Sequence, residues 1–280
     1  MLPAQNTLLL YPWICKLLRR KRTKLFYSVI GGWLPILIEK HPITERIIKE
    51  FDGIWAETTV MKNALEKRGF NNVTVVPNFK DLSIISKDEL KNNDSYPLQL
   101  SIFSRVMEEK GIEDAINAVN TINEEKCSTV LTLDICGPVD PAYTERFSEI
   151  RMRLPNTIKY CGSVPPLEST NLLKKYFALL FPTRFATEGI PGTIVDAYTA
   201  GVPVISAKWN SFADVVDDGK TGLGYEQFCY EDLLRVLRNI VDNPSQINAM
   251  RENCLKKAEQ YMPEVAIEQI LKLMDIRQSE

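Results

Sequence analysis

The sequence predicts an α/β protein built on parallel sheets, laid out as two successive series of strands and helices. Short apolar runs alternate with longer amphipathic segments along most of the 280 residues, the pattern of strand-crossover-strand units. The alternation breaks once, at the polar, turn-rich stretch KDLSIISKDELKNNDSYP from Lys80 to Pro97, which reads as a linker. Hydrophobic residues make up 45% of the chain, enough to fill a core.

In the first series, KLFYSVI (24–30) reads as a strand, KHPITERIIKEF (40–51) as a helix and GIWAET (53–58) as a strand. TVMKNALEKRGF (59–70) reads as a helix that ends on a basic residue and glycine, and VTVVPN (73–78) as the next strand. In the second series, strands are predicted at 97–104, 129–137, 158–162, 178–183 and 203–207. Helices are predicted at 111–125, 141–154, 167–176 and 193–201, with a helical tail from about 229. The apolar run LFYSVIGGWLPILI (25–38) is too short for a membrane span and is broken by Gly-Gly and Pro.

Several function classes drop out. The 34 basic and 36 acidic residues leave a net charge of −2, so no whole-chain field favours nucleic acid. The six cysteines, at 15, 127, 136, 161, 229 and 254, form no CxxC pair and read as reduced, buried thiols of a cytosolic protein. His41 is the one histidine, which removes His-rich metal sites; lying before Pro42, it reads as a surface or helix-start residue. HExxH, GxSxG and GxxxxGK[ST] do not occur, and Asp217-Asp218 reads as a turn before Gly219 rather than a metal site.

Parallel sheets bind ligands beyond the carboxyl ends of their strands. Two loops fall there. One is TEGIPG, which opens the helix predicted at 193–201. Backbone N–H groups at a helix start favour an anion, and Gly189 and Gly192 let a ligand approach the backbone across Ile190, Pro191 and Thr193. Glu188 sits at the same positive end, as a helix cap or as a ligand contact. Asp196 lies eight residues on, roughly 12 Å along the axis. It is either on a polar stripe or a partly buried acceptor for a ligand hydroxyl. The other loop, SRVMEEKG, carries Arg105 and Lys110, which either neutralise two phosphates or are surface charge beside Glu108 and Glu109. Gly31 and Gly32 follow a strand, as a simple turn or a close approach to a ligand. Together these residues suggest a nucleotide-sugar, with the diphosphate against the basic pair and helix start and the two carboxylates on sugar and ribose hydroxyls.

The segment from about 98 to 225 resembles the retaining, GT-B glycosyltransferases of the family 4 type, the glycosyl transferases group 1. SRVMEEKGIEDAINA, CGPVDPAY, EGIPGTIVDAYTAGVPVI and NSFADVVDDGKTGLGY are similar to that family's motifs, in order and with suitable spacing. YSVIGGWLP and FDGIWAETTVMKNALEKRGFNNVTVVPN resemble the end of its first domain. The resemblance implies two Rossmann-like domains, the first incomplete. Residues 1–85 would be a shortened acceptor-side domain, 86–255 the nucleotide-sugar domain, and 256–280 a helix packing back on the first. It implies retention of anomeric configuration, no metal or other cofactor, and a role in bacterial surface polysaccharide. Glu188 would contact the donor sugar, Arg105 and Lys110 the diphosphate, and Gly31, Gly32 and the Gly189–Gly192 loop would lie near the donor.

Departures from the pattern bear on these roles. Asp196 replaces the usual Glu, one methylene shorter, so its ribose contact would be longer or water-mediated. Asp214 also stands where Glu is frequent. Only about 80 residues precede the linker, against roughly 100–200 for a typical domain, so exposed sheet edges would invite a homodimer. The basic run KLLRRKRTK (16–24) is a solvated face or an attraction to the inner face of an anionic membrane, where a lipid-linked acceptor would lie. The donor would be a UDP- or GDP-sugar and the acceptor a glycan or lipid-linked glycan. Two rival readings are a nucleotide-sugar-binding accessory chain that needs a partner, and a nucleotide-sugar epimerase.

Overall fold

The computed structural model describes residues 11–19, 23–81, 83–92 and 95–274. Residues 20–22 of the basic run and 275–280 of the predicted tail lie outside them. The chain divides into two compact units. One comprises residues up to Phe79, Thr187–Ile190 and the segment from Pro263; the other comprises Lys80–Ala186 and Pro191–Met262.

The first unit carries a three-stranded parallel sheet of β1 (Phe26–Val29), β2 (Gly53–Ala56) and β3 (Val73–Val75), in that order. Val29 pairs with Ala56, and Ala56 with Val75. Ile54, Ala56, Leu65, Leu34 and Ile38 make its core. The helix predicted over 40–51 is present as Pro42–Lys49, and an unpredicted helix, Leu34–Glu39, precedes it. Pro42 causes the break between the two: it has no N–H to donate and excludes helical geometry from the residue before it. That residue, His41, adopts φ −135° at the start of the second helix. The helix Leu34–Glu39 turns the apolar run into a buried face, with Leu34 and Ile38 inward. From the helix Pro263–Leu273, Gln269 Nε2 donates to the Val75 carbonyl at 2.7 Å.

The second unit has a six-stranded, all-parallel sheet. Its strands are β4 (Leu98–Phe103), β5 (Leu131–Cys136), β6 (Ile158–Gly162), β7 (Ala178–Phe181), β8 (Val204–Ala207) and β9 (Gly222–Tyr225). The spatial order is β6-β5-β4-β7-β8-β9. Chain order therefore runs outward in both directions from the β4/β7 pair, the switch point where such sheets open a crevice. β7 and β8 are buried at every position, which explains their continuous apolar sequence. β9 is unforeseen because two of its four residues are glycine, which weakens strand propensity. Gly222 is required there, since a Cβ would overlap the Val204 carbonyl of the neighbouring strand.

The cysteines differ from their prediction. All six are free thiols, but only Cys136 and Cys254 are buried. Cys161 lies on edge strand β6, and Cys127 and Cys229 lie in connections, so all three are exposed.

Arg251, 2% exposed, heads the helix Arg251–Ala258 and ties it to the sheet unit. Its guanidinium donates to the carbonyls of Gly201 at 3.2 Å, Tyr176 at 3.1 Å and Phe177 at 3.0 Å. Leaving buried carbonyls unmet costs roughly 1–3 kcal/mol each. Arg251→Ala is therefore expected to destabilise the protein by about 3 kcal/mol or more. Urea unfolding of both proteins measures this; a midpoint unchanged by the substitution would contradict the role.

Candidate functional site

In the second unit, the loops that follow β4 and β7 meet backbone to backbone. Gly111 adopts φ +66°, and a Cβ there would overlap the Pro182 carbonyl oxygen. The Arg184 N–H donates to the Glu109 carbonyl at 2.8 Å. The Arg184 side chain forks onto Asp114, with contacts of 3.0 and 2.8 Å. These bonds fix the two loops on which Arg105, Lys110 and Arg184 stand.

Arg105 is not paired with Glu108 or Glu109. Its side chain is 61% exposed, and Nη1 lies 3.3 Å from Asp140 Oδ2. The backbone beside it is pinned by Gly137, where a Cβ would overlap the Ser104 carbonyl. Lys110 places Nζ 5.3 Å from the Phe181 ring centre and 5.2 Å from that of Phe185.

The helix at this end is Gly192–Thr199, with Pro191 as its N-cap. The amides of Ile194 and Val195 close onto the Pro191 carbonyl at 3.0 and 3.3 Å. Gly192 is exposed, and a Cβ there would meet nothing within 4 Å. The Thr193 hydroxyl is buried and has no hydrogen-bond partner among the described residues. Of the two readings of Asp196, the structure shows the buried one: the residue is 6% exposed. Its Oδ1 lies 2.7 Å from Lys80 Nζ. The pair borders a cavity of about 330 Å³ that Ser83, Ser169, Thr170 and Asn171 also line. Lys80 was placed in the linker by sequence; nothing local marks it as the partner of a residue 116 positions away.

Asp214 lies in the short helix Phe212–Val215. Asp217 and Asp218 form a turn, with Asp218 Oδ1 accepting the Gly224 N–H at 2.9 Å and Asp217 Oδ1 3.2 Å from Lys257 Nζ.

In the first unit, Gly31, Gly32 and Thr187–Ile190 gather around Glu57. Glu57 is not among the residues expected from sequence; its only signal there is a carboxylate directly after the apolar strand GIWA. Glu57 is 5% exposed, and its Oε2 accepts the N–H groups of Gly31 at 3.0 Å and Ile190 at 3.3 Å. Gly32 donates to the Thr187 carbonyl at 3.0 Å. Gly31, Gly32 and Gly189 thus have a reason to be glycine inside the protein: a Cβ on Gly189 would overlap Glu57 Oε2, and one on Gly32 would fall 2.8 Å from the Thr187 carbonyl. Glu188, half-buried like Thr187, lies between the anchored residues Thr187 and Ile190.

Burial pushes the Glu57 carboxyl above its ordinary range, and the Gly31 and Ile190 donors offset part of the rise. The folded chain then binds this proton more tightly than the unfolded chain. Its contribution to stability is present below the unfolded value and is lost as pH rises through the raised one. Glu57→Gln removes the titration. The stability of Glu57→Gln relative to wild type is expected to increase from about pH 4 toward about pH 8. Denaturant melts across that range check it, and a constant difference would contradict it.

The Glycosyl transferases group 1 family model matches residues 85–261. The chain is 20% identical to glycogen synthase of Mycobacterium tuberculosis over 220 residues, 77% of this chain and 52% of that protein. It is 25% identical to the putative colanic acid biosynthesis glycosyltransferase WcaL of Salmonella typhimurium over 130 residues, 45% of this chain and 32% of that one. It therefore spans about half the glycogen synthase's length. The crystal structure of Anabaena HepE in complex with UDP aligns with a TM-score of 0.79 at 17% identity, covering 97% of this chain and 77% of that one. At that identity the likeness establishes the fold, which is GT-B. With more than half of its length matched by the family model, the chain belongs to the Glycosyl transferases group 1 family.

Proposed function

We propose that this chain is a glycosyltransferase that moves a sugar from a UDP- or GDP-sugar to a glycan or lipid-linked acceptor, with retention of anomeric configuration, in surface polysaccharide biosynthesis. The observation that carries the reading is the β4/β7 switch point. There, two cations and an open helix start stand at the carboxyl ends of parallel strands, in a chain of this family. The bond from the anomeric carbon to the diphosphate breaks, and the diphosphate leaves as an anion. Arg105, Lys110 and the first amides of the helix Gly192–Thr199 meet that charge with dipoles and cations already in place. Fixed positive charge takes the part that a divalent metal plays elsewhere, so the reading requires no metal. Glu188 takes hydroxyls of the sugar, and Asp196 takes the ribose diol. That Anabaena HepE is also known in complex with UDP-glucose supports a nucleotide-sugar donor.

The reading places the protein in the cytoplasm, with contact to the inner membrane face. No helix among the described residues is long and apolar enough to cross a membrane. The helix Tyr11–Leu18 exposes Trp13, Ile14 and Leu17, which favours a peripheral contact.

Calorimetry with UDP, GDP, UDP-glucose and GDP-mannose tests the donor site. Wild type is expected to bind one nucleotide and its sugar at micromolar concentration; binding of none rejects the reading. Asp196→Ala is expected to weaken nucleotide and nucleotide-sugar alike by about tenfold, the scale of one hydrogen bond to a charged group. Glu188→Ala is expected to weaken only the nucleotide-sugar, by a similar factor. Equal losses for the two ligands in Glu188→Ala would remove Glu188 from the sugar.

A further inference from the structure

Glu57 has no local reason to exist. It stands where β2 passes into the helix Thr59–Lys67, a position at which an acid often serves as cap. That role is already filled by Thr58, whose side chain accepts the Met61 N–H at 3.2 Å. A carboxylate kept from water is costly unless its charge is met by donors. Glu57 Oε2 finds two, from Gly31 and from Ile190, the latter 133 residues away in sequence. Oε1 is buried with no hydrogen-bond partner among the described residues. An expensive group held on two backbone amides does one thing well: it fixes the chain that carries those amides.

That chain is the segment bearing Glu188. Its first residue, Thr187, is held through its carbonyl by the Gly32 N–H at 3.0 Å. Its last, Ile190, is held through its N–H by Glu57 at 3.3 Å. Gly189 must lack a side chain for the second bond to form, because a Cβ would overlap Glu57 Oε2 and approach Gly31 Cα to 3.0 Å. Glu188 is bracketed, one residue from the first anchor and two from the second. Hydrogen bonds in so dry a setting are stronger than at the surface, so the bracket is stiff.

We propose that Glu57 is a positioning residue for Glu188, fixing the backbone of Thr187–Ile190 so that the Glu188 carboxylate is presented to the donor sugar. This rests on the reading that Glu188 meets the sugar and not the nucleotide. Displacement of such a group by about 1 Å costs up to about a hundredfold in rate. Glu57 acts through the backbone and touches no ligand, so its loss is felt only by what Glu188 touches.

The test is a ratio. UDP and UDP-glucose, and GDP and GDP-mannose, are titrated calorimetrically into wild type, Glu57→Ala, Glu57→Gln and Gly189→Ala, with thermal unfolding run beside each. Glu57→Ala is expected to weaken the nucleotide-sugar by about tenfold and leave the bare nucleotide within about twofold. Glu57→Gln keeps an acceptor for both amides and retains most of the sugar affinity. Gly189→Ala shows the same selective loss, and adds less when Glu57 is already alanine, because the two substitutions break one contact. Equal weakening of both ligands, or of neither, overturns the proposal. If Glu57→Ala does not fold, Gly189→Ala decides by the same ratio. A wild type that binds none of the four ligands fails the donor reading and takes this proposal with it. A selective loss in Glu188→Ala without one in Glu57→Ala or Gly189→Ala fails the positioning role alone.

Discussion

The contact between Gly111 and the Pro182 carbonyl governs the second unit's functional end. Two adjacent parallel strands send their following loops apart at a switch point, and a crevice stays open between them. Here the loops are drawn together at their roots, because Gly111 has no Cβ to hold Pro182 away. The close approach lets the Arg184 amide reach Glu109 and its guanidinium reach Asp114. It also sets Lys110 over Phe181, at the carboxyl end of β7, and Phe185 beyond it. Arg105 stands on the same loop, after β4. A side chain at 111 would disturb all of these at once.

The cations so placed are not equivalent. Arg184 is committed: its forked pair with Asp114 is the strong geometry for guanidinium and carboxylate, and that hydrogen bond raises its own proton affinity. Arg105 has one contact of 3.3 Å to Asp140 from an exposed position, a class of pair worth only about 0–1 kcal/mol. A diphosphate offers more than that contact does. Lys110 rests on the ring faces of Phe181 and Phe185. On the proposed reading the site therefore divides its basic residues: Arg184 holds the loops, and Arg105 exchanges a weak partner for the ligand.

Much of this was legible in sequence, for reasons that particular residues show. β7 and β8 were readable because burial at every position demands unbroken apolar runs, and β4 and β5 because buried apolar residues recur at every second position. The loops at Arg105 and at Gly189–Gly192 were readable because strand and helix patterns bracket them. β9 was not, because Gly222 and Gly224 answer to neighbours in space rather than to strand propensity. The helix Leu34–Glu39 was not, because the apolar run that contains it is continuous with a strand and carries no polar face to mark a helical period. Lys80 and Glu57 were invisible for one reason: each acts on a partner more than a hundred residues away, and no window of sequence contains both ends. Gly189 likewise answers to a neighbour distant in sequence, since the space where a Cβ would stand is taken by the Glu57 carboxylate.

Asp196 and Glu57 are two buried acids managed in opposite ways. Asp196 is met by a full charge, Lys80, on a flexible side chain that reaches water. Glu57 is met by two amides on backbone that cannot swing away. A cation on a long side chain can shift as a hydroxyl arrives, so Asp196 keeps a compensating charge while its contacts change. Amides held by neighbouring turns cannot follow such a change, and an acid bound to them is suited to holding geometry. The partner chosen for each carboxylate thus separates an acid fit to exchange ligands from one fit to fix a backbone, a distinction that neither burial nor residue type alone would reveal.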